Sequence, residues 1–137
     1  MFRVLALFAS LLLITSCGIF KRNKRPIPLA VEKIVIETNP KITILDTTGY
    51  EITKIVLSGD ILYLWVRHAG YEYDLIADNR LSPTNPPQLN IFLKRQKLIN
   101  NNKVQENIMV FDLSSLRTIS KQTMLLNLNG TAQNINY

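Results

Sequence analysis

Few residues in this 137-residue chain have the chemistry to react. Cys17 carries the sole thiol, between the small residues Ser16 and Gly18, where an apolar run gives way to a basic cluster. One thiol forms no intramolecular disulfide and falls far short of a thiolate metal site. His68 is the sole imidazole. Beside Arg67 it has the chemistry of a general base, but no serine or cysteine motif accompanies it as a nucleophile. Glu72, Asp74 and Asp78 recur at even spacing, which puts them on one face of an extended chain. Carboxylate oxygens ligate calcium, yet no glycine-anchored acidic loop is present, and a solvated sheet face is the simpler reading. Tyr50, Tyr63, Trp65, Tyr71 and Tyr73 have the makings of an aromatic platform for carbohydrate or peptide. Aromatics in strands also serve core and cross-strand packing. The chain has no phosphate-cradling glycine loop, no zinc spacing and no nucleophile elbow. No catalytic residue, metal or cofactor is therefore expected, and Tyr71, Tyr73 and Trp65 are the candidate ligand-binding residues.

Cys17 is positioned by what precedes it. Arg3 and the amino terminus give a short positive start, and residues 4–14 are apolar, broken only by small Ala and Ser. As a helix those residues reach about 16 Å at a rise of about 1.5 Å each. A hydrocarbon core is about 30 Å thick, so the run suits a signal-peptide apolar region better than a stable span. The segment Ile14-Thr15-Ser16-Cys17-Gly18 resembles the bacterial lipobox, with Ile in place of the commoner Leu three residues before the cysteine. The resemblance implies a thioether-linked diacylglyceryl group on Cys17, cleavage before it, and usually a third acyl chain such as palmitate on the new amino terminus. One acyl chain binds a membrane marginally, while two or more anchor stably. The competing reading is an uncleaved signal anchor, which the basic residues after the stretch would orient toward a cytoplasmic C-terminus. The short apolar run, the small residues and the sole cysteine together favour the lipoprotein.

Gly18, rather than Asp, follows the cysteine. By the sorting rule of lipoproteins this points to the outer membrane. Surface export in Bacteroidota-type bacteria follows acidic residues at this place, and here Lys21-Arg22-Asn23-Lys24-Arg25 is the opposite. The expected location is the periplasmic face of the outer membrane.

The formal charge of +6 invites a nucleic-acid reading, but its distribution argues against one. Lys21, Arg22, Lys24 and Arg25 lie in the tether, and from Leu29 onward eleven Lys or Arg face ten Asp or Glu. A nucleic-acid-binding domain carries its basic stripe on the fold. The expected organisation is a signal peptide (1–16), a lipidated basic tether (17–28) and a single domain (29–137), which is long enough to bury one core.

Within that domain short β-rich runs alternate with turn signals. The runs are at 29–37, 41–46, 50–57, 61–66, 71–77, 89–93, 108–113 and 123–129. The phase drifts within 50–57, as a bulge would cause. Residues 61–66, ILYLWV, have no polar break and read as a central strand covered on both faces, with Trp65 a core anchor. Residues 61–77 read as a hairpin and 78–88 as a loop. Lys94-Arg95-Gln96-Lys97 reads as a charged strand end, and Ser114 as the cap of one helical turn. The expected fold is an all-β, immunoglobulin-like or related sandwich of about eight short antiparallel strands.

Three segments are similar in order and spacing to small β-sandwich lipoproteins of Bacteroidota, of the NigD-like kind: GDILYLWV at 59–66, PPQLNIFL at 86–93 and VFDLSSL at 110–116. The resemblance spans about residues 52–128 and implies location and fold more than mechanism. Many such proteins carry a Gly-Gly-Cys segment near a His-Asp-Phe, and a second cysteine in a later turn. This chain has HAGYEYD at 68–74 and Lys103-Val104-Gln105 instead. Both cysteines are missing together, as expected if they pair in relatives, so no thiol or metal chemistry carries over.

The expected function is a membrane-anchored, non-catalytic interaction or structural module, held by lipid through Cys17 and docking an envelope protein, with no nucleic-acid partner. The alternative is a small-ligand binder for carbohydrate or peptide. Intact-mass measurement of protein extracted from native membranes is expected to show a chain starting at Cys17 plus two or three acyl groups. A full-length, unmodified mass would remove the lipoprotein reading.

Overall fold

The computed structural model describes residues 29–43, 46, 48–98, 103–129, 131 and 133–137. The signal helix, Cys17 and the basic tether lie outside the described residues. Two mixed sheets pack face to face as an all-β sandwich. Nine strands are described: β1 (Val31–Lys33), β2 (Val35–Glu37), β3 (Tyr50–Ser58), β4 (Ile61–His68), β5 (Tyr71–Ser82), β6 (Gln88–Leu98), β7 (Gln105–Asp112), β8 (Leu125–Leu128) and β9 (Asn134–Asn136). One sheet has the order β1-β7-β4-β3 and the other β2-β5-β6-β8-β9.

Strand alternation builds the core. Leu62, Leu64 and Val66 of β4 point inward and are fully buried, and so are Leu89, Ile91 and Leu93 of β6. Leu126 and Leu128 of β8 close the layer from the second sheet. The sandwich matches the expected fold class, but its sheets are not wholly antiparallel. β1 with β7, β2 with β5, and β6 with β8 pair in parallel. Parallel neighbours cannot be joined by tight turns, so these pairings link segments far apart in sequence.

Several local expectations change with the pairing. The run 29–37 is two strands, because the chain leaves one sheet at Ile34 and enters the other. Ile34 is buried at the crossing, and its N–H donates to the Asp112 carbonyl at 3.1 Å. The expected 61–77 hairpin is absent. Both edges of β4 are taken by β3 and β7, so after Ala69 and Gly70 (φ +75°) the chain passes to the other sheet. The drift in 50–57 is a register shift between Ile52 and Lys54. β5 runs on to Ser82 through an irregularity after Ala77, which shortens the expected 78–88 loop to residues 83–87. Lys94-Arg95-Gln96-Lys97 lies within β6, not beyond its end. Residues 41–43 form no strand. The helical turn is a 3-10 turn, Ser114–Thr118, and its first N–H donates to Asp112 Oδ1 at 2.8 Å instead of to a serine cap.

One end of the sandwich is laced shut. Gly59 (φ +59°) turns β3 into β4 and presents Asp60. Asp60 accepts from Arg117 Nε at 2.9 Å and from the Tyr137 hydroxyl at 2.8 Å. These partners hold its carboxyl below the usual range, Arg117 most strongly. Burial, with Asp60 beside it, pushes Tyr137 up to about 12. His68 lies at the opposite end of β4. In urea unfolding, Ile91→Ala is expected to cost about 2–5 kcal/mol, as buried truncations do. Val56→Ala, on the outer face, is expected to cost less than about 1 kcal/mol.

Candidate functional site

The open end of the sandwich holds a cleft of about 410 Å³. Its origin is the shortness of the first two strands. β1 covers β7 only at residues 110–112, and β2 covers β5 only at 76–78. Upstream of those points, among the described residues, the two edges face each other across a gap. Residues 71–74 of β5 form one wall and 107–111 of β7 the other, with Leu29, Ala30 and Glu32 at the rim.

His68 lies on the cleft floor, 2% exposed, because it continues the inward parity of Leu62, Leu64 and Val66. Its Nδ1 accepts the Tyr71 N–H at 3.2 Å. A neutral ring with Nδ1 accepting carries its proton on Nε2. Asn107 Nδ2 lies 3.2 Å from Nε2, and that amide accepts an Nε2 proton only when turned over so that its oxygen takes this place. The Tyr73 ring stands edge-on to the imidazole with centroids 5.3 Å apart. Burial lowers the His68 pKa. No serine, threonine or cysteine lines the cleft among the described residues. Nδ1 would have to give up the Tyr71 N–H before it could act as a general base.

Tyr73 is 4% exposed and packs edge-on against Tyr50 as well. Its hydroxyl is buried with no hydrogen-bond partner among the described residues, and burial raises its pKa. A buried hydroxyl without a partner is costly, by about 1–3 kcal/mol. Tyr71 is half-buried beneath the Arg95 guanidinium, 4.6 Å from the ring centroid.

Tyr71 and Tyr73 therefore meet in one cleft, but Trp65 is elsewhere. It is no core anchor. It lies half-buried on the outer face of the four-stranded sheet, with Lys54 Nζ 4.6 Å from its ring centroid and Ile108 as its neighbour in register. The unbroken apolar run ILYLWV hides its own alternation, since both faces of β4 carry large apolar side chains.

The acidic set also divides. Asp78 is buried and ion-paired with Arg80, which holds its carboxyl low. Glu72 and Asp74 line the cleft with Glu32. Burial, then the charge of Asp74, then that of Glu72, raise the Glu32 pKa. Among the described residues no three histidine, cysteine or acidic side chains are grouped to hold a metal ion. Glu32 and Asn107 escaped the sequence reading because only the crossing at Ile34 and the β4–β7 register bring them here.

No protein-family model matches the chain, and no curated protein is significantly similar to it.

His68 sets a pH dependence. Its folded pKa is below the ordinary 6.5, so the unfolded chain takes up this proton first as pH falls. Its contribution is full above that value and declines as pH drops through it toward the folded pKa. Stability in urea unfolding is expected to fall between about pH 7 and pH 5, where histidines titrate. His68→Gln is expected to flatten that decline. An unchanged slope in the variant would show that His68 does not set it.

Proposed function

We propose that the protein is a lipid-anchored module of the bacterial envelope that docks another protein, without catalysis, at the open end of the sandwich. The observation that supports this best is the pair of strand edges beside the cleft that no other strand covers among the described residues. An unpaired edge presents backbone donors and acceptors in a row, and such edges in native proteins are usually blocked, covered or used. The cleft's histidine is buried and its Nδ1 already accepts the Tyr71 N–H, which suits a wall better than a reaction centre. The lipobox at Cys17 and the basic tether supply the anchor in this reading, and the periplasmic face of the outer membrane is its location.

A photo-crosslinking amino acid at Gln96, on the cleft rim, is expected to give one discrete adduct in native membranes. The same group at exposed Gln133 is expected to give none. Equal labelling at both sites, or at neither, would count against docking at the cleft.

A second reading, a small carbohydrate or peptide ligand in the cleft, draws on the unpartnered Tyr73 hydroxyl. A small ligand using that hydroxyl would lose affinity on Tyr73→Phe. The protein contact at Gln96 would persist in that variant.

A further inference from the structure

The outer face of the four-stranded sheet carries an apolar band across its width. Residues opposite each other in register share a face. Val31, Val110, Tyr63 and Val56 therefore form one row across β1, β7, β4 and β3. Ile108 and Trp65 are opposite each other in the next row, where Lys54 lies over the Trp65 ring. Charged pairs bound the band on both sides, with Lys33 opposite Asp112 at one and the Arg67–Glu51 ion pair at the other. Val31 is 55% exposed, and Val56 and Ile108 are each 37% exposed. The five-stranded sheet turns a different surface outward. Asn90 and Asn134 flank Asn127 in register, and the Asn127 amide donates to Gln88 Oε1 at 3.0 Å. One broad face of the sandwich is thus rich in amides and the other in aliphatic and aromatic side chains.

The size of the band and the course of the chain decide what covers it. Four strands about 4.8 Å apart and two rows about 7 Å apart make a patch on the order of 200 Å². A stable protein interface takes about 800 Å² from each partner, so a second copy has too little to hold. A bilayer asks less of a domain that is already tethered to it. The described chain begins at exposed Leu29, beside Val31 at the rim of this face. Residues 17–28 span at most about 40 Å when extended. An acylated Cys17 therefore keeps the face within reach of the lipid, at an effective concentration of about millimolar.

We propose that the outer face of the four-stranded sheet, at Val31, Val56, Tyr63, Trp65 and Ile108, lies on the surface of the bilayer that holds the lipid anchor. The proposal rests on the lipid-anchor reading above and names the face that the anchored domain turns to the membrane. Tryptophan and tyrosine suit that boundary, because each has an apolar body and a polar handle. Lys54 lays its stem along the Trp65 ring and keeps its ammonium among the headgroups. In this pose the amide-rich face meets water. The cleft, between the sheet edges at the side, stays open to a protein partner.

Trp65 is the sole tryptophan, so its fluorescence reports this face. The test uses the protein extracted from native membranes and returned to vesicles of phosphatidylethanolamine and phosphatidylglycerol. One set of vesicles carries bromine on the acyl chains near the headgroup, and one set is plain. Trp65 is expected to lose most of its intensity in the brominated set. Combining Val56→Glu with Ile108→Glu is expected to restore the intensity while the protein still floats with the vesicles. Val31→Glu, on the exposed edge strand, is the second variant should the first not fold, and is expected to restore it in part. Equal intensity in both sets, with the protein floating, would overturn the proposal and leave the anchor standing. Trp65 shielded from aqueous acrylamide without quenching by bromine would also overturn it, and would assign the face to a protein. So would quenching unchanged in the variants. An intact mass without acyl groups would remove the anchor reading, and this proposal with it.

Discussion

The crossing at Ile34 is the constraint on which the rest of the structure depends. Two stacked sheets bury their facing side chains, but something must fix the sheets to each other at their edges. Here one buried residue carries the chain from the edge of β7 to the edge of β5. Three residues on either side of it form the clasp. Because the clasp is so short, it closes only half of that side. The remaining half is the cleft, so the open site and the joint between the sheets are two results of one short segment.

The two ends of the sandwich are treated differently. At the Asp60 end a carboxylate, a guanidinium and a phenol hydroxyl converge from the β3–β4 turn, the 3-10 turn and the last residue. At the His68 end Arg67 pairs with Glu51 across β3 and β4, and the Thr53 hydroxyl donates to Glu106. His68 accepts from Tyr71 and lies beside Asn107. Glu32, Glu72 and Asp74 form no ion pair among the described residues, and that draws attention to the cleft.

Much of the core was legible in the sequence because alternation is a local property. Leu89, Ile91 and Leu93, or Met124, Leu126 and Leu128, declare an inward face without knowledge of any partner strand. The bulge in β3 was legible for the same reason. Partnership was not legible. Residues 61–77 looked like a hairpin from spacing alone, and nothing local shows that β4 already has two neighbours. KITILD alternates as well as any strand, yet its described residues form no strand. The candidate site was legible only in part. Tyr71 and Tyr73 belong to it, while Trp65 faces away because a run apolar on both faces does not say which is inward. Glu32 enters the cleft through a non-local crossing that no short window contains.

The parallel pairings also bear on how the chain acquires its shape. β3 with β4 and β5 with β6 are neighbours in sequence, so these ribbons can form as soon as their residues are available. β1 cannot pair until β7 exists, since Val31 lies opposite Val110. Closing so long a loop costs entropy before its contacts repay it, and folds rich in distant contacts form slowly. The clasp is then a late event, and until it closes the two layers lack the joint at Ile34. A chain arranged this way stays loosely joined for most of its emergence and becomes rigid only near the end.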